Sequence, residues 1–145
     1  MLRGKRVDGW DIRFREVIEN YKADNKPVRY GKKDCFLFAA DVTESIYGFD
    51  IMEPYRPLYS NRVEAYKLIR DLGGKGLADS FERILMAGPI RVTMAQRGDI
   101  VVHQQDNLEA VGVCAGKNSL FLKGRGFFSM PTSYCLKAFT FEEGR

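Results

Sequence analysis

The stretch Tyr30-Gly31-Lys32-Lys33-Asp34-Cys35-Phe36-Leu37-Phe38-Ala39-Ala40 decides how this chain is interpreted. Asp34 is a favourable N-cap residue, because its carboxylate accepts hydrogen bonds from the free amides of a first helical turn. From Cys35 onward, apolar residues recur at helical spacing on one face: Phe38, Ala39, Val42 and Ile46. Gly48 then suits the left-handed position that ends a helix. The pattern predicts a buried helix that begins at Cys35.

The place of Cys35 in this helix is typical of a nucleophile. A helix N-terminus carries positive partial charge, and Lys32 and Lys33 would add to that field. We therefore expect a lowered pKa for the Cys35 thiol and a populated thiolate. The alternative is that Cys35 is a small apolar residue of the core, as most free cysteines are. The stretch alone leaves both interpretations open.

Length and composition predict one domain. The chain has 145 residues, of which 45% are hydrophobic and 29% charged, and both fractions are ordinary for a folded globular protein. We expect a single domain over residues 1–145, with residues 1–9 as a short basic N-terminal arm. Arg3, Lys5 and Arg6 carry the charge of that arm, which we interpret as a solvated tail.

Several functional classes are disfavoured by what the sequence contains. No apolar run approaches the roughly 20 residues of a membrane span, and no secretory leader pattern begins the chain, so we expect it to stay where it is synthesised. Three cysteines and one histidine suggest neither a disulfide framework nor a metal site. The net charge of +4 is scattered, which predicts no specific nucleic-acid binding. We expect no cofactor.

The order of periodicities indicates the fold class. Helical spacing recurs in the first ninety or so residues: from Trp10 to before Asn25, in the Cys35 helix, from Ser60 or Asn61 to Gly73-Gly74, and at Leu77, Phe81, Ile84 and Leu85. Short apolar runs separated by turns follow: Ile100–Val102, Ala110–Cys114, Ser119–Leu122, Gly126–Met130 and Leu136–Phe141. We predict an α+β domain in which N-terminal helices pack on a C-terminal antiparallel sheet or partial barrel of about five strands.

Three motifs in this order carry a resemblance to a known family. Asp34-Cys35 opens a helix, Arg97-Gly98-Asp99-Ile100-Val101-Val102 opens a sheet, and Val111-Gly112-Val113 precedes a glycine turn. Together they resemble the NlpC-type branch of the papain-like cysteine peptidases. In that family Asp-Cys begins the nucleophile helix, Gly-Asp-hydrophobic starts the first strand, and His-Val-Gly starts the second.

The chain is more similar still to a small subfamily encoded in tailed phages and prophages, usually beside tail-tip genes. Its pattern is matched at Tyr30 to Cys35, Tyr59 to Gly74, Arg97 to Val101 and Gly112 to Gly116. The resemblance covers Trp10 to Phe141.

The resemblance implies hydrolysis of peptide bonds in bacterial cell-wall stems, often those that involve D-glutamate. Such a mechanism needs a thiolate, an imidazole that acts as base and acid, and a polar residue that orients the imidazole. The nucleophile corresponds to Cys35. The histidine position is occupied by Ala110, and the orienting position falls near Leu122, so two apolar residues stand where base and orienter belong.

His103 is the one substitute base that the chain offers. We expect it to end the first strand and to lie opposite Leu108, near the mouth of the hairpin that presents Ala110. A side chain directed at the Cys35 helix would serve as base, and one directed outward would be an ordinary surface histidine.

An active site of this kind would contain Cys35 and His103 as catalytic residues. Asp34 would support the helix, and Asp106, Gln105 or Glu109 would orient the imidazole. We interpret Cys114 and Cys135 as core or semi-buried thiols, because neither opens a helix.

Two functions follow from the resemblance. The first is a structural or adaptor component of a phage tail tip or baseplate, located in the virion and in the host cytoplasm during assembly, with other tail-tip or hub proteins as partners. Its candidate contacts are Tyr55, Tyr59 and the turn over residues 123–126. The second is an active peptidoglycan endopeptidase or amidase. Charge alone suggests a weaker third possibility, a nucleic-acid or assembly-factor role. We favour the first and leave open whether the chain is an enzyme.

Overall fold

Helices come first and strands second in the computed structural model, which describes residues 2–73, 76–84, 86–105 and 108–145. The helices are α1 (Trp10–Ala23), α2 (Cys35–Tyr47), α3 (Arg62–Asp71) and α4 (Leu77–Ile84). The strands are β1 (Gly88–Ile90), β2 (Ile100–Gln105), β3 (Leu108–Cys114), β4 (Asn118–Lys123), β5 (Gly126–Pro131) and β6 (Lys137–Thr140). The predicted α+β class is confirmed. No helix in these ranges is long and apolar enough to cross a membrane.

The strands form one open antiparallel sheet in the order β1-β6-β2-β3-β4-β5. Side chains alternate between its two faces, as the pleat requires. Val102 and Val111 belong to the main core, which also contains the buried face of α2. Val101 and Phe121 belong to a second, smaller core on the other face. The α2 helix therefore packs on one face of the sheet only.

The helix boundaries follow the predicted caps. Asp34 caps α2, and Gly48 ends it with φ of 88°. Asn61 caps α3 by accepting a hydrogen bond from the Glu64 amide, while the Glu64 carboxylate accepts one from the Ser60 amide. The two bonds resemble a capping box, except that the Glu64 carboxylate accepts from the residue before the cap and not from the Asn61 amide. Two of the predicted helix residues, Gly74 and Leu85, lie outside the described residues.

The structure adds one strand to those predicted. Gly88-Pro89 follows α4 and lies outside the apolar runs predicted as strands, yet β1 pairs with β6 there. Proline is tolerated because β1 is an edge strand, where a missing amide costs no ladder hydrogen bond on the open side. The strand β2 also extends further than predicted, to Gln105.

The basic arm is packed and is not a solvated tail. Gly4 forms a parallel bridge with Glu142, and the Arg6 side chain is only 10% exposed. Arg6 Nε lies 2.8 Å from Glu142 Oε2, and both Arg6 and Arg145 form ion pairs with the buried carboxylate of Asp99. The interpretation as a tail was wrong because the paired acids come from distant parts of the chain.

The contact between β3 and β4 gives a stability prediction. A Cβ atom at Gly112 would lie 2.6 Å from the Leu120 carbonyl oxygen and 2.5 Å from the Phe121 ring, whereas one at Gly126 would meet open space. We expect Gly112→Ala to lower the free energy of unfolding by about 1–3 kcal/mol, because backbone and a packed ring must move. Gly126→Ala is the matched control and should be nearly neutral. Urea unfolding of both variants makes the comparison, and equal losses would contradict the prediction.

Candidate functional site

The buried carboxylate of Asp34 organises the candidate site. Its Oδ1 accepts a hydrogen bond from the Leu37 amide, and its Oδ2 accepts from the Gly31 amide and the Tyr59 hydroxyl, each at 2.8 Å. Its side chain has no exposed surface. Gly31 has φ of +87°, and a Cβ atom there would lie 2.9 Å from the Tyr59 carbonyl oxygen. The Tyr-Gly-x-x-Asp-Cys pattern thus closes a turn that only glycine fits.

The Lys33 ammonium, which was expected to add to the positive field at the Cys35 thiol, makes its contacts with backbone oxygens. Its side chain is 2% exposed, and its ammonium donates to the carbonyl oxygens of Asp24, Lys26 and Arg125. The bond to Arg125 ties the loop before α2 to the turn between β4 and β5, and the other two stay within the loop. The Lys33 ammonium is therefore directed at backbone carbonyl oxygens.

The Cys35 thiol is protonated near neutral pH, contrary to the sequence-based expectation. Burial and, after it, the negative charge of Asp34 raise the pKa of Cys35 to about 12. The backbone amides of Val111, Cys35 and Phe36 act in the opposite direction but are outweighed. The expected lowering failed because burial disfavours the charged thiolate and because the helix cap is itself an anion beside the sulfur.

Cys35 lies at a cavity of about 410 Å³ that opens where the sheet splits. Pairing between β3 and β4 is limited to Val113 with Leu120 and Cys114 with Ser119, so the strands diverge beyond those residues. Both positions expected to carry base and orienter, Ala110 and Leu122, line this cavity. The remaining lining residues are Val28, Tyr30, Arg62, Tyr66, His103, Glu109, Val111, Phe121, Lys123 and Phe128.

His103 lines the same cavity, but it approaches from the other face of the sheet. It pairs with Ala110 and not with Leu108 as predicted, because β2 continues to Gln105. Its ring packs against Phe121 with centroids 6.1 Å apart, and strand alternation puts it on the face of Val101. Its Nδ1 atom is buried without a hydrogen-bond partner. No hydrogen bond joins His103 to Cys35, both of which are described.

Of the three residues expected to orient the His103 imidazole, the structure describes only the side chain of Glu109. The Glu109 carboxylate accepts a hydrogen bond from the Ala78 amide at 3.0 Å, in the first turn of α4. Since this carboxylate binds the first turn of α4, it does not orient the His103 imidazole. Asp106 lies outside the described residues, and so does the Gln105 side chain.

Two tyrosines to which the sequence assigned no role in the site, Tyr30 and Tyr66, line the cavity together with Cys35. The rings of Tyr30 and Tyr66 lie 6.4 Å apart, and the Arg62 guanidinium lies 5.5 Å from the Tyr66 ring. The Tyr66 hydroxyl donates to the Glu109 carbonyl oxygen at 3.0 Å. Burial raises the pKa of Tyr30 and Tyr66, and a charged Cys35 would raise it further. The sequence gives one sign of this cluster: Arg62 and Tyr66 stand four residues apart on α3 and therefore share one face of the helix.

The predicted partner contacts are only partly on the surface. Tyr59 is 5% exposed and donates to Asp34, so it is a core residue and not a contact. Tyr55 is half-buried, and Lys123 and Arg125 in the turn after β4 are exposed. The turn is therefore the part of the predicted surface that a partner can reach.

The other two cysteines are buried, as predicted. Cys114 has no exposed surface, and its sulfur accepts a hydrogen bond from the Gly116 amide at 3.4 Å. Burial raises the pKa of Cys135 to about 11. Both thiols belong to the smaller core.

Comparison with protein families places the chain in one of them. The family model described as Domain of unknown function (DUF6950) matches residues 5–141, and the chain belongs to this family. The match spans all four helices and all six strands. No curated protein and no solved structure matches the chain.

The Asp34 cap gives a second stability prediction. We expect Asp34→Ala to lower the free energy of unfolding by about 2–4 kcal/mol, because three donors in a buried site lose their acceptor. Asn61→Ala removes the exposed cap of α3 and should cost only about 1 kcal/mol. Chemical denaturation measures both. Equal losses would mean that Asp34 is no more than a helix cap.

The protonation state of Cys35 gives a third prediction. A pKa of about 12 leaves far less thiolate than in a free thiol, so iodoacetamide should alkylate Cys35 at neutral pH at least about a hundredfold more slowly than in the unfolded chain. The rate should rise as the pH is raised above 9. Peptide mapping by mass spectrometry separates Cys35 from the two core thiols. Rapid alkylation near neutral pH would contradict this protonation state.

Proposed function

We propose that this protein is a structural or adaptor component of a phage tail tip or baseplate, built on an NlpC-type fold without a working catalytic centre. It acts in the virion and is assembled in the host cytoplasm. Its partners are other tail-tip or hub proteins. The phage context comes from the motif resemblance, and the loss of catalysis comes from the chemistry of the cavity.

The lining of the cavity at Cys35 is the observation that carries this proposal, because Ala110 and Leu122 stand there at the positions expected for base and orienter. A cysteine peptidase attacks as a thiolate, which an imidazole stabilises as an ion pair. Here burial and Asp34 disfavour the thiolate, while Ala110 and Leu122 supply neither proton transfer nor orientation. Three backbone amides lower the pKa of Cys35, but burial and Asp34 outweigh them and the pKa remains about 12.

A structural role also accounts for the features that remain intact. Asp34 joins the loop, α2 and Tyr59, so its removal would disturb the fold whether or not Cys35 reacts. Asp99 accepts hydrogen bonds from Arg145 and the Gln96 amide, which explains the Gly-Asp motif as an architectural one. These residues are required by packing alone.

The second candidate is a peptidoglycan endopeptidase or amidase that uses Cys35 and His103. One observation favours it: both side chains line the same cavity. His103 would have to turn its ring away from Phe121 and through the gap between β3 and β4 to reach the sulfur. Binding of substrate or of a partner chain would have to drive that movement.

Incubation of the purified chain with peptidoglycan separates the two functions. We expect no soluble wall fragments above the level released by Cys35→Ala, because the thiol is protonated and His103, the described imidazole, makes no hydrogen bond to it. Mass spectrometry of the soluble fraction is the measurement. Fragment release that is lost in both Cys35→Ala and His103→Ala would establish the hydrolase and overturn the structural proposal.

Complementation of a phage that lacks this chain tests the tail role itself. Cys35→Ala should restore infective particles as well as the unchanged chain does, and the chain should be present in purified virions. An unfolded control, Asp34→Ala with Gly31→Val, should fail. Absence of the chain from virions that need it for assembly would contradict a permanent tail location.

A further inference from the structure

The strand β5 presents an unpaired backbone edge at one end of the sheet. It pairs with β4 from Lys123 with Gly126 to Asn118 with Pro131, and a two-residue turn joins them. The first residue pair after a two-residue turn, here Lys123 with Gly126, is hydrogen bonded. From there along β5, residues whose N–H and C=O groups bond to β4 alternate with residues whose groups point away from it. The Thr132 amide donates to the Lys117 carbonyl oxygen at 2.8 Å, in agreement with this alternation. The N–H and C=O groups of Phe127 and Ser129 therefore point away from β4.

These outward groups have no partner among the residues that the structure describes. The neighbouring loop bonds only to the turn: the Val28 amide donates to the Gly124 carbonyl oxygen, and Arg125 Nη1 donates to that of Asn25. Helix α1 meets the strand through side chains, as in the contact of Tyr21 with Phe127. Ser129 is exposed. The outer edge of β5 is thus open along its middle.

The opposite edge of the sheet is protected in the ways that folded proteins usually use. Strand β1 has three residues, and Pro89 at its centre lacks an N–H group. The N-terminal arm runs beside it, with the Leu2 amide bonded to the Met86 carbonyl oxygen. Strand β5 has six residues, no charged side chain and proline only at its last position. An edge of that length without such protection pairs readily with another strand.

We propose that β5 is a docking edge that receives an extended segment of another protein as a seventh strand, and that this segment carries acidic residues at its ends. Main-chain hydrogen bonds to Phe127 and Ser129 would supply the register. Lys123 and Arg125 lie exposed at one end of the strand, and Lys117 lies exposed at the other. Asp24 precedes Asn25, whose carbonyl oxygen accepts a hydrogen bond from Arg125, and the Asp24 carboxylate already accepts one from the Lys26 amide. The charge at the two ends favours an acidic partner.

A second copy of this chain fits the edge less well. Antiparallel pairing of two β5 strands about Phe128 would bring Lys123 and Arg125 of one copy beside the Lys117 end of the other. Like charges would then face each other at both ends of a narrow contact. The inference deepens the adaptor role proposed above by naming its contact surface, and the backbone groups on which it rests, those of Phe127 and Ser129, do not line the Cys35 cavity.

The test is a selection from a random short-peptide library displayed on yeast, with the full chain as bait. Enriched peptides, made synthetically, should contain Asp or Glu at their ends. They should bind Ser129→Pro at least about tenfold more weakly than the unchanged chain by fluorescence anisotropy, since only the outward N–H is lost. Ser129→Ala keeps that N–H and is the matched control, with unchanged affinity. Arg125→Glu should weaken binding and reduce its salt dependence.

A second measurement, made on the unchanged chain alone, tests the proposal even if the Ser129→Pro variant misfolds. A saturating peptide should slow amide hydrogen exchange at Phe127 and Ser129 in the unchanged chain. Failure of the selection, peptides that bind without this protection, or a chain dimer that Ser129→Pro abolishes would each overturn the proposal. Release of wall fragments by the purified chain would overturn the adaptor role but would leave these measurements unchanged, so the two proposals fail separately.

Discussion

The buried carboxylate of Asp34 is the constraint on which the rest of the structure depends. A carboxylate without exposed surface must be fully hydrogen bonded, since an unsatisfied buried charge costs several kcal/mol. Its three donors come from the turn at Gly31, the first turn of α2 and Tyr59. One side chain therefore sets the path of the loop, the start of the helix and the position of the segment that leads into α3.

The same interaction determines the chemistry of the sulfur beside it. A helix N-terminus favours a thiolate, but only within the first turn and by a modest amount. Burial and the Asp34 charge act on Cys35 at short range and in the opposite direction, and they prevail. Asp34, which places Cys35 at the cavity, thus adds to the effect of burial in raising the pKa of the thiol. In an active cysteine peptidase a neighbouring imidazolium compensates for this effect. The described imidazole, His103, makes no hydrogen bond to Cys35 and packs on Phe121 instead.

The sheet explains both the cavity and the docking edge. Pairing of β3 with β4 stops after two residue pairs, so the strands separate and leave room beside Cys35. Beyond β4 the hairpin continues to β5, where the outward backbone groups of Phe127 and Ser129 have no hydrogen-bond partner among the described residues. The loop before α2 is held to the turn of this hairpin by Lys33. The cavity and the edge therefore share one hairpin, although each is argued from different groups.

The sequence by itself determined the helix that begins at Cys35, its cap at Asp34, the start of a third helix at Ser60 or Asn61 and the succession of helices and strands. All of these follow from residues a few positions apart, because caps and periodicity are local. Tertiary structure decided the pKa of Cys35, the face from which His103 approaches, the pairing of β1 and the burial of Arg6. Each of these depends on groups far apart in the chain, whose distances, desolvation and register no local pattern encodes.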